Sequence, residues 1–244
     1  MLAFRTEDAF SYVASDATSV YRKKCTEAVR QFVHLADDVF VVYDRVGADD
    51  PSYGKEWLLR TQNEPLIEGA LATADCGEGR ICCRTLLPAG ADLRKVGGPG
   101  REFWASGKNW ELDRKFLANA AARAREIGVG PYFGNWRIEV SPSRPAADDR
   151  FLHVLNATVS RGGRPVVSRY VRTDTEDVAL VVIPDCKVEG MRGTLKAAVG
   201  FNRTGDVAAR LNYTLYGTAG EKLLERRFNL NNKVTPQSGV LLER

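Results

Sequence analysis

The residues best suited to chemistry gather in one glycine-rich stretch, VGGPGREFWASGKN, Val96–Asn109. It brings Arg101, Trp104, Lys108 and Asn109 within a few positions of one another. An exposed indole can stack on the C–H face of a pyranose, and a guanidinium can grip a carboxylate or sulfate through two parallel bonds. The set suits an acidic sugar, so Arg101, Trp104, Lys108 and Asn109 are candidate substrate-binding residues. Gly97, Gly98 and Gly100 would let the backbone come close to a ligand or a neighbouring domain. The competing reading is a shaped surface loop in which Trp104 covers a sheet edge or meets a second domain. A phosphate cradle is not expected, because no strand-to-helix glycine fingerprint surrounds the run.

Elsewhere the sequence offers no complete acid–base set. His34 and His153 are the only histidines, and both sit inside strand-like runs where packing is the ordinary role. Tyr21, Tyr43 and Tyr53 are conceivable acids, but tyrosine in a strand usually packs. The five cysteines, Cys25, Cys76, Cys82, Cys83 and Cys186, are odd in number and lack paired zinc-ligand spacing. They read as small buried apolar side chains. No catalytic residue, metal ligand or cofactor is assigned.

These groups must be carried by strands. Arg30–Val46, RQFVHLADDVFVVYDRV, reads as two strands joined through Ala36, Asp37 and Asp38. The run Val39–Tyr43 is apolar at every position, which predicts a strand covered on both faces. Phe40 and Val42 should face one way, Val39, Val41 and Tyr43 the other. Further strands are expected at Phe10–Ala14, Tyr21–Val33, Lys55–Thr61, Leu66–Thr73, Arg80–Leu87, Trp136–Val140 and Phe151–Ser160. Five more follow, from Val166 to Leu230, and Gly, Pro and Asx turns separate the runs. Leu112–Ile127 is the one helical pattern, rich in Ala, Leu, Arg and Glu and stopped by Gly128 and Gly130. The expected fold is all-β: a single large antiparallel β-sandwich of two stacked sheets over residues 1–244, with a short helical insertion.

The 244 residues suffice for a sizeable core. A net charge of +4, from 35 basic and 31 acidic side chains scattered along the chain, gives no reason to expect a nucleic-acid partner. No apolar run is long enough to span a bilayer. The N-terminus MLAFRTEDAF lacks the apolar core of a signal peptide.

Six segments carry a family resemblance, in this order: RQFVHLADDVFVVYDRV, the tryptophan and paired leucines of Lys55–Thr61, RTLLP (Arg84–Pro88), KVGGPGREFW (Lys95–Trp104), WRIEVSP (Trp136–Pro142) and DRFLHVL (Asp149–Leu155). Together they resemble the C-terminal β-sandwich region of heparinase II/III-like polysaccharide lyases, over roughly the first two-thirds of the chain. The resemblance implies a part in β-elimination of uronic-acid-containing glycans. It implies an acidic polysaccharide as ligand and an upstream helical toroid, in the same or a neighbouring chain, as partner. A periplasmic or secreted full-length lyase would be implied too. The family's catalytic groups come mainly from the toroid, and none can be matched here by motif. The expectation is therefore a lyase part that is not catalytically complete alone, with a non-catalytic carbohydrate-binding or scaffold module as the alternative.

Overall fold

The computed structural model describes residues 1–21, 23–35, 38–110, 134–166, 168–172, 177–187 and 193–230, together with Lys115, Ala118, Asn119 and Ala122. In chain order the strands are β1 (Ala3–Glu7), β2 (Phe10–Asp16), β3 (Cys25–Leu35), β4 (Val39–Ala48), β5 (Trp57–Thr61) and β6 (Leu66–Glu68). Then come β7 (Leu71–Cys76), β8 (Gly79–Leu87), β9 (Asp92–Gly97), β10 (Trp104–Ala105), β11 (Lys108–Asn109) and β12 (Trp136–Ser141). The last are β13 (Asp148–Val159), β14 (Arg169–Arg172), β15 (Val178–Lys187), β16 (Gly193–Asn202), β17 (Ala209–Gly217) and β18 (Lys222–Asn229).

An antiparallel eight-stranded sheet, ordered β1-β2-β3-β4-β13-β8-β7-β6, forms the middle layer. One of its faces packs on a five-stranded meander, β14 to β18, and the other on a small sheet ordered β5-β12-β9. The expected pair of stacked sheets is present, and the small sheet adds a third layer.

The middle layer follows from the apolar run of β4. Val39, Val41 and Tyr43 enter the core shared with Val199, Phe201 and Leu211 of the meander. Val42 enters the second core with Trp57, Ile138 and Val140, and Phe40 packs at its margin. The two-face prediction therefore holds. Tyr43 stacks on Phe201 with ring centroids 4.9 Å apart. On β13 the same alternation sends Leu152 and Val154 to the first core and Phe151 and Leu155 to the second. Removing a side chain such as Val41, fully buried, leaves a cavity that neighbours on a paired sheet cannot collapse to fill.

Charged groups tie one end of the layers together. Arg45 is buried, bonds Glu27 and donates to the Gly205 carbonyl at 2.9 Å, while Arg150 donates to the Arg203 carbonyl at 2.9 Å. Both arginines belong to the middle sheet and both bind the turn between β16 and β17.

Several local expectations change. β1 was not foreseen: AFRTE is an edge strand with only Ala3 buried, so it lacks an apolar stripe. The expected strand Leu66–Thr73 is broken at Gly69, whose φ of 58° turns the chain between β6 and β7. Tyr21 ends a 3-10 turn, Thr18–Tyr21, rather than beginning a strand. β9, DLRKVG, alternates poorly because it is a half-exposed edge of the small sheet. Most of Leu112–Ile127 lies outside the described residues; Lys115, Ala118, Asn119 and Ala122 are helical and exposed. Ala36 and Asp37 of the central connection also lie outside them.

Candidate functional site

The glycine-rich stretch leaves the small sheet at the end of β9. A Cβ on Gly97 would lie 2.2 Å from the Asn135 carbonyl oxygen, and one on Gly98 would lie 2.8 Å from the Trp136 ring. Gly97 and Gly98 have φ of 150° and 82°. These glycines thus admit the chain's own Asn135 and Trp136. Gly100, with φ 77°, has open space around it.

Beyond the glycines, β10 and β11 form a two-residue hairpin that pairs Trp104 with Asn109 and Ala105 with Lys108. Its turn is Ser106-Gly107, with φ of 52° and 80°. Two positive φ values match the twist of antiparallel strands in a tight hairpin. Arg137 donates to the Trp104 carbonyl at 3.0 Å and Arg60 to the Glu102 carbonyl at 3.3 Å, fastening the hairpin to the small sheet. Asn109 serves the hairpin itself: its Oδ1 accepts from the Phe103 amide at 2.8 Å, and its Nδ2 donates to Glu102 at 3.4 Å.

Cations and indoles pair across this corner. The Arg101 guanidinium lies 4.6 Å from the Trp104 ring centroid, and Lys108 Nζ lies 3.7 Å from that of Trp110. Lys95 Nζ sits 5.9 Å from the Trp136 ring, at the outer limit for attraction to its face. Trp104 is half-buried, while Trp110 is 50% exposed and donates its Nε1 proton to the Ala105 carbonyl at 3.0 Å. Arg101 thus lies against Trp104, and Lys108 stands on the neighbouring strand of the same hairpin, across from Ala105. Trp110, which the sequence reading did not single out, joins them two positions after Lys108, its indole held over the hairpin by the bond to Ala105.

The histidines sit in packing roles. His153 is fully buried, stacks on Trp57 at 3.7 Å between centroids, and has Nδ1 3.2 Å from the Thr85 hydroxyl. Burial, aided by the Arg30 charge, presses its pKa down to about 3, so its ring is neutral at ordinary pH. His34 stacks on Phe40 at 4.6 Å. Burial pushes the Tyr43 phenol up to about 12. Tyr21 and Tyr53 depart from the packing expectation: they are 57% and 43% exposed and line one groove. Cys82 and Cys83 are buried and free, as small apolar side chains should be. Cys76 differs, being exposed beside the Gly77–Glu78 turn with its thiol bonded to Gln62 at 2.8 Å. Among the described residues no cluster of three His, Cys, Asp or Glu is gathered as a metal site, and no helix is long and apolar enough to cross a membrane.

No family model matches the chain, and no curated protein matches it. Among solved structures, a mutant of heparan sulfate lyase HepC from Pedobacter heparinus aligns over 93% of this chain at 10% identity, with a TM-score of 0.46. The chain spans 27% of that solved chain's length. A likeness of that degree fixes neither family nor activity.

Proposed function

We propose that the chain is the glycan-contacting β-sandwich of a polysaccharide lyase-like protein, one that works on uronic-acid-containing glycans by β-elimination. Its contribution is to hold the acidic chain; the acid–base groups belong to a helical partner domain. The observation that carries this reading is the hairpin corner, where Arg101 and Lys108 each lie against an indole. A pyranose stacking on Trp110 or Trp104 would meet a cation beside the ring, and that cation would draw the sugar's carboxylate or sulfate. The sequence resemblance to heparinase II/III-like lyases supports the same ligand class. The packing of the histidines supports a non-catalytic role, since the His153 ring is fully buried against Trp57 and His34 is taken up in a stack on Phe40.

A second reading is favoured by the 50% exposure of Trp110 on a short, well-fastened hairpin: the corner docks the helical domain instead of the sugar. Retention on immobilised heparin separates the two. Under the glycan reading Arg101→Ala, Trp104→Ala and Trp110→Ala each elute earlier in a salt gradient, with Arg101→Ala the most salt-sensitive. Unchanged retention in all three leaves the docking surface. The same preparation should form no unsaturated uronate, followed by ultraviolet absorbance, from heparan sulfate, heparin, chondroitin or alginate. Turnover that vanishes in a His34 or His153 variant would overturn the non-catalytic role.

A further inference from the structure

We infer that the groove beside β3 and β4 is a second binding site, built to hold one carboxylate-bearing pyranose, a uronic-acid unit, through Arg30 and Lys24. It is separate from the indole hairpin and draws on none of its residues. The groove encloses about 630 Å³, within the roughly 300–1,000 Å³ usual for small-ligand sites. β3 and β4 make its floor, the 3-10 turn carrying Tyr21 makes one wall, and the segment from Tyr53 to Trp57 makes the other.

Its centre is an oriented guanidinium. Register places Arg30 directly across from Asp44. Arg30 donates from Nε to Asp44 Oδ1 at 2.7 Å and from Nη2 to Oδ2 at 2.8 Å. Asp44 is 5% exposed, whereas the Arg30 side chain is 54% exposed. The carboxylate thus anchors the arginine from below while the arginine's outer side stays wet. A guanidinium has five N–H donors, and the remaining ones have no partner among the described residues. An arginine already held in place loses little freedom when an anion arrives, which removes one of the usual costs of binding.

The charge left over in the groove is positive. Asp44 is matched by Arg30, Lys55 lies 3.0 Å from Asp149, and Glu56 lies 3.5 Å from Arg94. Lys24 lines the groove with no acidic partner among the described residues. The half-exposed rings of Tyr21 and Tyr53 supply flat faces for a pyranose and hydroxyls for its polar edge. A surface ion pair kept for stability alone would not need a groove or two bare tyrosines beside it.

The test is a titration of the isotope-labelled chain with glucuronate and, separately, with glucose, followed by two-dimensional NMR. Glucuronate should shift the Arg30 Nε–H signal and the Tyr53 amide saturably, while glucose should leave both in place. Arg30→Lys keeps a charge but loses the fork, and should weaken binding about tenfold, as expected for a lost charge-assisted pair. Tyr53→Ala lies in a loop outside the strands and should also weaken binding, with the rest of the spectrum unchanged. Trp110→Ala should leave the groove shifts intact, which keeps this site apart from the hairpin. The inference is overturned if glucuronate shifts nothing in the groove, if glucose shifts it equally, or if only the Trp104 and Trp110 indole signals respond.

Discussion

His153 should make the protein sensitive to mild acid in a way that one substitution removes. Its ring is fully buried against Trp57, Nδ1 faces Thr85, and burial sets its pKa near 3. In the unfolded chain the same group titrates at about 6.5. Above that pH it is neutral in both states and does not affect the folding equilibrium. As pH falls below 6.5 the unfolded chain binds a proton that the native chain refuses, so stability is lost. The slope approaches about 1.4 kcal/mol per pH unit and flattens only when the native ring protonates, near pH 3. Between pH 7 and pH 5 the loss from this group alone comes to about 2 kcal/mol. Urea melts of the natural chain and of His153→Gln at both pH values provide the check. The substitution lowers stability at pH 7 by opening the stack on Trp57, but its further loss on going to pH 5 should be smaller than the natural chain's by about 2 kcal/mol. Carboxylates contribute to both proteins and cancel in the comparison. Equal losses in the two proteins would refute the claim that this imidazole is held neutral by burial.

Two other substitutions probe the framework. Phe40 lies at the margin of the second core, 5.6 Å from Phe32 and 4.6 Å from His34 by ring centroids; Phe40→Ala should cost about 2–3 kcal/mol in denaturant melts, less than the about 3–5 of a fully enclosed phenylalanine. A change within about 0.5 kcal/mol would place the residue on an ordinary surface instead. Gly98→Ala and Gly100→Ala share a positive φ, each costing about 1–2 kcal/mol in left-handed strain, but only the Gly98 variant also drives a Cβ into Trp136. Thermal melts should therefore rank Gly98→Ala well below Gly100→Ala, and equal melting points would show that the indole moves aside freely.

How much was legible differs from residue to residue. VFVVY is apolar at both parities, and a strand has only two faces, so its place between two layers was fixed before any partner was known. Cys82 and Cys83 were readable as buried because a free cysteine behaves as a small apolar side chain. The Arg101–Trp104 pair is local, the two residues lying three positions apart, so composition already pointed to it, whereas Trp110 stands one residue past the glycine-rich stretch and its place against Lys108 was not read. The glycines of Gly97–Gly98 announced a close approach, but not that Trp136 makes it.

Only the tertiary structure decided the rest. β4 pairs with β3, its neighbour in sequence, and with β13, which lies a hundred residues further on. Ladder bonds join backbone to backbone and are nearly blind to side-chain type, so no pattern in DLRKVG could announce β9 or the third layer that it edges. The Arg30–Asp44 pair exists because one register sets those two residues opposite each other, and a slip of one residue would turn Asp44 to the other face. Tyr21 and Tyr53 meet at one groove because the turn after β2 and the loop after β4 rise on the same side of the sheet. The sequence by itself determined the strands that carry an apolar stripe and the side chains on them that must leave water, because those follow from local chemistry; strands without a stripe, such as β1 and β9, did not show. Which strands pair, and hence which polar groups face one another, depended on contacts between distant segments, and the order of residues does not encode these one at a time.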